Sequence, residues 1–463
     1  MKKQNISKLK VRSAGRAFVA VLALAPFWAY APAVMADADL STHHSDSATT
    51  TRVSVATDGT QAPNGAESTT PRSMSANGRF VAFSTLSGLD PIDTNGQSDI
   101  YVRDTKNQTT TLVSVTADGT QAAGGSKLAS ISANGRYVVF YAYPDTLVPN
   151  DTNGVGDTFV RDLVHHTTTR VNVASNGDQA NGSSGIENPA QISADGRYVA
   201  FDSFATNLVP NDTNGRQDVF LHDRNTGRTT RVSVGANGVE ANANGSGSMA
   251  PALSEDGRYV AFASDSTNLV ANDTNNSTDI FVRDRQHGTT TRVSVASDGT
   301  QGNDASIRPT ISDNGRYVAF EGWGSSLVAN DTNNAPDIFV RDRQHDTLTR
   351  VSVAQDGTQS NDQSRYASIS GDGRFVAFQS MATNIDSLGS GDTNGNFDIF
   401  VKNIRNGEVT RENVTPAGGL SNGFAMYPSL NANGRYVAFV GGGSDLVAGD
   451  TNHLSDVFLR QRF

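Results

Sequence analysis

The 463-residue chain has no cysteine, which excludes a disulfide framework, a thiolate-held zinc or iron–sulfur centre and a cysteine nucleophile. Charge is sparse as well. Only 18% of residues are Asp, Glu, Lys or Arg, and 47 acids outnumber 37 bases for a net charge of -10, the wrong sign for a protein that holds nucleic acid by its phosphates. No G-x-S-x-G, H-E-x-x-H or phosphate-binding glycine loop occurs, so the common hydrolase, metalloprotease and nucleotide signatures are missing. Apolar residues make up 36% of the chain, enough for a large core.

The N-terminus reads as an export signal. Met1 to Arg16 carries six bases and no acid, the apolar stretch Ala17 to Val34 follows, and Val34-Met35-Ala36 supplies a small-residue cleavage site. Pro26 and Pro32 interrupt the stretch, which argues against a membrane anchor. The expectation is a signal peptide at 1–36, a short flexible segment at 37–50, and a mature bacterial protein in the periplasm or outside the cell, with no membrane insertion. Without the six leader bases the remainder has 31 basic against 47 acidic residues.

A repeat fills the rest. The string G-R-[FY]-V-[AV]-F begins at Gly78, Gly135, Gly196, Gly257, Gly315, Gly373 and Gly434, at spacings of 57 to 61 residues. Each unit holds four short β-prone segments, here called a to d: x-[ILM]-S, R-Y-V-A-F, D-I-F-V-R-D and T-T-R-V-S-V. Segment b is almost continuously apolar, as expected of a strand covered on both faces. Four strands per unit with nothing helical between units predict an all-β fold: a seven-bladed β-propeller of four-stranded blades over 51–463. The ends complement each other. A d-type segment, Thr51 to Val55, precedes the first unit, and the last unit stops at its c segment, Asp456 to Arg460. The N-terminal strand is therefore expected to complete the last blade and hide its edge.

Ser254 to Phe262 followed by Asp279 to Asp284 resembles the TolB-type, WD-like β-propeller repeat, and all seven units share the resemblance. It implies a propeller that binds proteins or ligands, though TolB itself has six blades behind an N-terminal α/β domain.

Two sets of residues are candidates for chemistry. The b–c loop of every unit ends in D-T-N-[GNH]-x-x-D: Asp93, Asn95 and Asp99; Asp151, Asn153 and Asp157; Asp212, Asn214 and Asp218; Asp273, Asn275 and Asp279; Asp331, Asn333 and Asp337; Asp392, Asn394 and Asp398; Asp450, Asn452 and Asp456. Three oxygen donors in one turn can converge on calcium, and the pattern resembles a shortened form of the aspartate-rich loops of FG-GAP propellers. The same residues also cap tight turns with no metal, and both readings stand at this level. The second set lies where the units differ. Three residues after the b-segment Phe come Leu86, Tyr143, Phe204, Asp265, Trp323, Met381 and Gly442. Tyr143, Phe204 and Trp323 are expected to form a ligand-binding surface for a protein or glycan on the face carrying the long b–c and d–a loops. Histidines 165, 166, 222, 287 and 345 are expected to be solvated, and each G-R-[FY] arginine to pair with the Asp after segment c. The overall expectation is a monomeric binding module, not an enzyme; the alternative is a lactonase-like or lyase-like enzyme working at the central tunnel.

Overall fold

The computed structural model describes residues 48–143, 147–242, 245–385 and 392–463. The expected leader lies outside the described residues, as does the 37–50 segment except for its last three positions. The described chain is a ring of seven antiparallel β-sheets, one per repeat. Blade five shows the pattern, with strands Ser306–Ile311, Tyr317–Gly322, Asp337–Asp342 and Thr347–Arg350 running from the axis outward as a to d. Its b strand is buried on both faces because large and small residues alternate there. Val318 and Phe320 pack against Ala261, Ile280 and Val282 of blade four, while Ala319 meets Ala367 and Val376 of blade six.

The invariant glycine has a steric reason. Gly315 has φ of +71°, and a Cβ placed on it would lie inside van der Waals contact of the Tyr259 ring in the preceding blade. All seven units repeat this fit, down to Gly78 under Tyr436, which joins blade one to blade seven. In five blades the arginine beside the glycine pairs as expected with the Asp after strand c: Arg79–Asp104 at 2.6 Å, Arg136–Asp162 at 2.6 Å, Arg197–Asp223 at 2.8 Å, Arg258–Asp284 at 2.7 Å and Arg316–Asp342 at 2.6 Å. The expectation fails in blades six and seven, where Asn403 and Gln461 stand in place of that Asp and Arg374 pairs with Asp372 instead.

The N-terminal strand closes the ring. Thr49–Arg52 pairs antiparallel with Asp456–Gln461, Arg52 opposite Phe458, and Val53 N–H continues the contact to Val457 O at 2.8 Å. The strand begins two residues before the expected Thr51 and stops at Arg52 rather than Val55, and beyond its end Ser54 donates its hydroxyl to Asp456 at 2.6 Å. Val81, Phe83 and Tyr101 of blade one then share a core with Ala438, Val440 and Leu459 of blade seven.

Two blades depart from the pattern at the axis. Ser184 to Ile192 of blade three spans eight steps where Ser306 to Ile311 spans five, and Ala66 to Met74 of blade one is lengthened in the same way. The extra residues leave only Gln191–Ile192 as the inner strand of blade three and two isolated bridges, Ser68–Ser84 and Met74–Val81, in blade one. They protrude inward instead. Pro71 O accepts hydrogen bonds from Ser368 at 3.1 Å and Ser429 at 3.3 Å, and Arg72 reaches Ile311 O at 3.0 Å on blade five. Blade five does not adjoin blade one, so Arg72 crosses the axis. His222 is buried rather than solvated. It replaces the arginine that follows two apolar residues in strand c and bonds Thr229 Oγ1 at 2.9 Å, just as Arg103 bonds Thr110.

Candidate functional site at the channel mouth

The acidic turns are built alike. In each, the second Asp is buried at the start of strand c, and its carboxylate accepts from a Ser or Asn side chain of the following T-T-R-V-S-V segment: Ser114 to Asp99, Ser294 to Asp279 and Ser54 to Asp456, for example. The Asn between the carboxylates bonds the second Asp and accepts the backbone N–H two residues on, as Asn95 does with Asp99 at 3.0 Å and Gln97 at 2.7 Å. In six blades an arginine from the same T-T-R segment stands between the two carboxylates. Arg292 lies 3.0 Å from Asp273 and 3.1 Å from Asp279, Arg170 2.7 and 3.1 Å from Asp151 and Asp157, and Arg350 3.3 Å from both Asp331 and Asp337. Arg231, Arg411 and Arg52 occupy the same place in the other three. A protein cation thus sits where the sequence left room for a metal.

Blade one has Leu112 there instead. Gln121 donates to both Asp93 and Asp99, and the Tyr101 hydroxyl donates to Asp93. Blade three departs in the opposite direction: Glu240 replaces the usual glutamine, so Asp212, Asp218 and Glu240 gather around Arg231. Burial and the neighbouring acids push Asp212 up to about 6.

The expected rings lie where b–c and d–a connections meet. Tyr143, Phe204 and Trp323 are 49%, 50% and 41% exposed. Their backbone N–H groups donate to Gly125, Ser183 and Ala305 of their own blade's d–a connection. The rings do not touch one another. Tyr143 meets Tyr141 edge-on at 5.2 Å, whereas Trp323 carries the Arg365 guanidinium 4.9 Å from its centroid.

Trp323 leads to a group of residues that the sequence reading did not connect. The inner strands surround a cavity of about 480 Å³. In five of them the register slips, and one residue adopts positive φ at the slip: Leu128, Ala250, Arg308, Tyr366 and Tyr427. Such bulges redirect side chains, and all five of these line the cavity. The fifth residue of the preceding blade's b strand secures several of them: Asp202 accepts the Ala250 N–H at 3.2 Å and Gln379 the Tyr427 N–H at 2.9 Å. Glu321 holds the equivalent place and also meets Arg308 at 3.1 Å and Arg365 at 3.8 Å, while its side chain is fully buried. Burial pushes its carboxyl up, against the pull of both arginines. Arg308 lies over Tyr366 at 4.5 Å, and Tyr366 meets Tyr427 edge-on at 5.0 Å. The signal for these residues was their variability within an otherwise repeated strand, three residues upstream of the hydrophobic position of x-[ILM]-S.

No family model and no curated protein matches the chain. Solved structures do. An oligogalacturonate lyase from Vibrio parahaemolyticus superposes with a TM-score of 0.53 at 11% identity, over 89% of this chain and 93% of that one. An oligogalacturonate lyase in complex with manganese gives 0.52 at 12%, over 89% and 92%. A TolB homologue from Agrobacterium tumefaciens gives 0.41 at 15%, over 79% and 99%. At such identities the likeness is one of fold.

Proposed function

We propose that the protein is a binding module, periplasmic or secreted, that receives its ligand on the long-loop face at the mouth of the central channel. The observation that carries this reading is the exposure of large rings just past the end of the b strand, at a position where the blades differ. A repeat otherwise bound to one scaffold has its freedom for specificity there. Rings that contact a ligand contribute about 2 kcal/mol or more each when truncated. Isolating bound material from the source organism's envelope and medium, then measuring its affinity for Tyr143→Ala, Phe204→Ala and Trp323→Ala, tests the reading. Unchanged affinity in all three variants, with folding intact, overturns it.

Calcium stabilisation is the second element of the proposal, and the turn of blade three favours it: three carboxylates there face one arginine, whereas the sister turns have two. Few charged ligands imply weak binding, about 10⁻⁴ to 10⁻³ M. Millimolar calcium should raise the melting temperature of the native protein but not of Glu240→Gln. Coincident curves with calcium and with chelator would refute it. An enzyme of the lyase type is the runner-up, supported by the shared fold alone.

A further inference from the structure

We infer that the ligand is an acidic sugar whose carboxylate lies between Arg308 and Arg365, an inference that rests on the channel-mouth reading above. Both guanidiniums stand within 4 Å of the Glu321 carboxylate, so one small anion can reach both. Two positive charges face one negative charge, which leaves the sector of blades five and six short of an anion. Arg308 gives one hydrogen bond to Glu321. Arg365 gives none among the described residues: its Nε is buried without an acceptor, and at 3.8 Å from Glu321 it is beyond hydrogen-bond range. A guanidinium has five donors in a planar fork that matches a carboxylate, so most of this capacity is unused.

The surroundings suit a sugar body. The Arg365 guanidinium lies 4.9 Å from the centroid of the Trp323 ring, and Tyr366 and Tyr427, which meet edge-on, line the neighbouring cavity. Thr69, Asn188 and Gln191 add hydrogen-bonding groups to the wall. The acids that line the cavity, Glu67 and Glu187, belong to blades one and three, while the lining cation Arg72 reaches Ile311 O of blade five, so the field across the cavity favours a ligand with its carboxylate toward blades five and six. Arg308 and Tyr366 hold positive φ, at 52° and 53°. Such conformations cost free energy in residues with a Cβ, and here they place both residues in the cavity wall.

The test uses Trp323 as its reporter. It is the only tryptophan after residue 36, and Trp28→Phe in the full chain makes it the only one. Trigalacturonate and its methyl ester, equal in ring structure but not in charge, are titrated against this protein by fluorescence and by calorimetry. The acid should bind saturably with a change in Trp323 emission, and the ester at least about tenfold more weakly, the size of one charge-assisted contact. Arg365→Gln and Arg308→Gln should each lose a similar factor, and Arg365→Lys should keep part of it; melting curves establish that the variants fold. Absence of acid binding, equal binding of acid and ester, or full affinity in both Gln variants overturns the inference. Equal binding that still moves Trp323 emission leaves the channel-mouth reading standing. Binding seen by calorimetry with a silent Trp323 overturns the inference, and the channel-mouth reading falls with it if Tyr143→Ala and Phe204→Ala also leave that affinity unchanged.

Discussion

Arg52 is a residue whose loss should cost the ring heavily. It comes from the strand that closes the propeller, and it lies 3.3 Å from Asp450 and 3.0 Å from Asp456, with these three side chains 8%, 2% and 0% exposed. Replacing it by leucine leaves two carboxylates buried without a cation, and breaking a buried pair in this way typically costs about 3–5 kcal/mol. Blade one shows how the defect can be tolerated. Leu112 stands there naturally, and the Tyr101 hydroxyl and Gln121 hold Asp93 and Asp99. In blade seven the counterpart of Tyr101 is Phe458, and Gln61 already occupies the place of Gln121. Phe458→Tyr should therefore recover about 1.5–3 kcal/mol in the Arg52→Leu background, the range for a hydrogen bond to a charged group, and little or nothing in the native protein. Urea midpoints for the four members of this cycle, with unchanged slopes, give the coupling. A midpoint for Arg52→Leu equal to that of the native protein would refute the account of the arginine as the cation of its turn. A Phe458→Tyr effect of the same size in both backgrounds would refute the analogy with blade one.

Deleting residues 37–56 removes the closing strand and exposes the edge of Asp456–Gln461, so the protein should aggregate or lose several kcal/mol of stability; unaltered melting and solubility would contradict closure. Gly315→Ala should cost about 1–2 kcal/mol for its left-handed backbone and about 1–3 more for the overlap with Tyr259, whereas Gly299→Ala, also at positive φ but with open space around it, should show only the first. Stability should peak at mildly acidic pH. Asp202 and Asp212, pushed to about 6 by burial, hold protons in the folded state that the unfolded chain releases near its ordinary 3.8, so stability falls as pH rises through 4 to 6. Asp104, Asp162, Asp223, Asp284 and Asp342, held low by their arginines, remove stability as pH falls below about 4. Urea midpoints from pH 3 to 8 that rise monotonically would contradict this, and Asp212→Asn should flatten the alkaline limb.

The architecture was legible because each blade repeats the same local choices. Seven G-R-[FY] strings, near-continuous apolar b segments and complementary ends leave a closed ring as the arrangement that buries every sheet face and edge. The turns were legible as acids but not as ion pairs. D-T-N-x-x-x-D and T-T-R-V-S-V lie in different segments, and only the antiparallel c–d pairing brings the arginine and serine of one beside the carboxylates of the other. His222 was misread because its position near a turn suggested solvent, while the register puts it among the buried residues that follow Phe220.

The channel was the least legible part, and the reason is physical. A bulge moves one residue out of the two-residue alternation, so neither periodicity nor the x-[ILM]-S signature marks the side chains that enter the cavity. What marks them is a comparison of blades. Where every blade keeps a residue, as at the glycine under the neighbouring ring or the buried second Asp, the ring itself requires it. At the bulge the fold requires only a backbone shape, and Leu128, Ala250, Arg308, Tyr366 and Tyr427 all satisfy it. The fold is thus indifferent to which side chain stands there. Arginine and two tyrosines in three successive blades, with a buried glutamate behind them and a tryptophan beside them, are for that reason unexplained by stability, and the chemistry of whatever enters the mouth is the place to seek their cause.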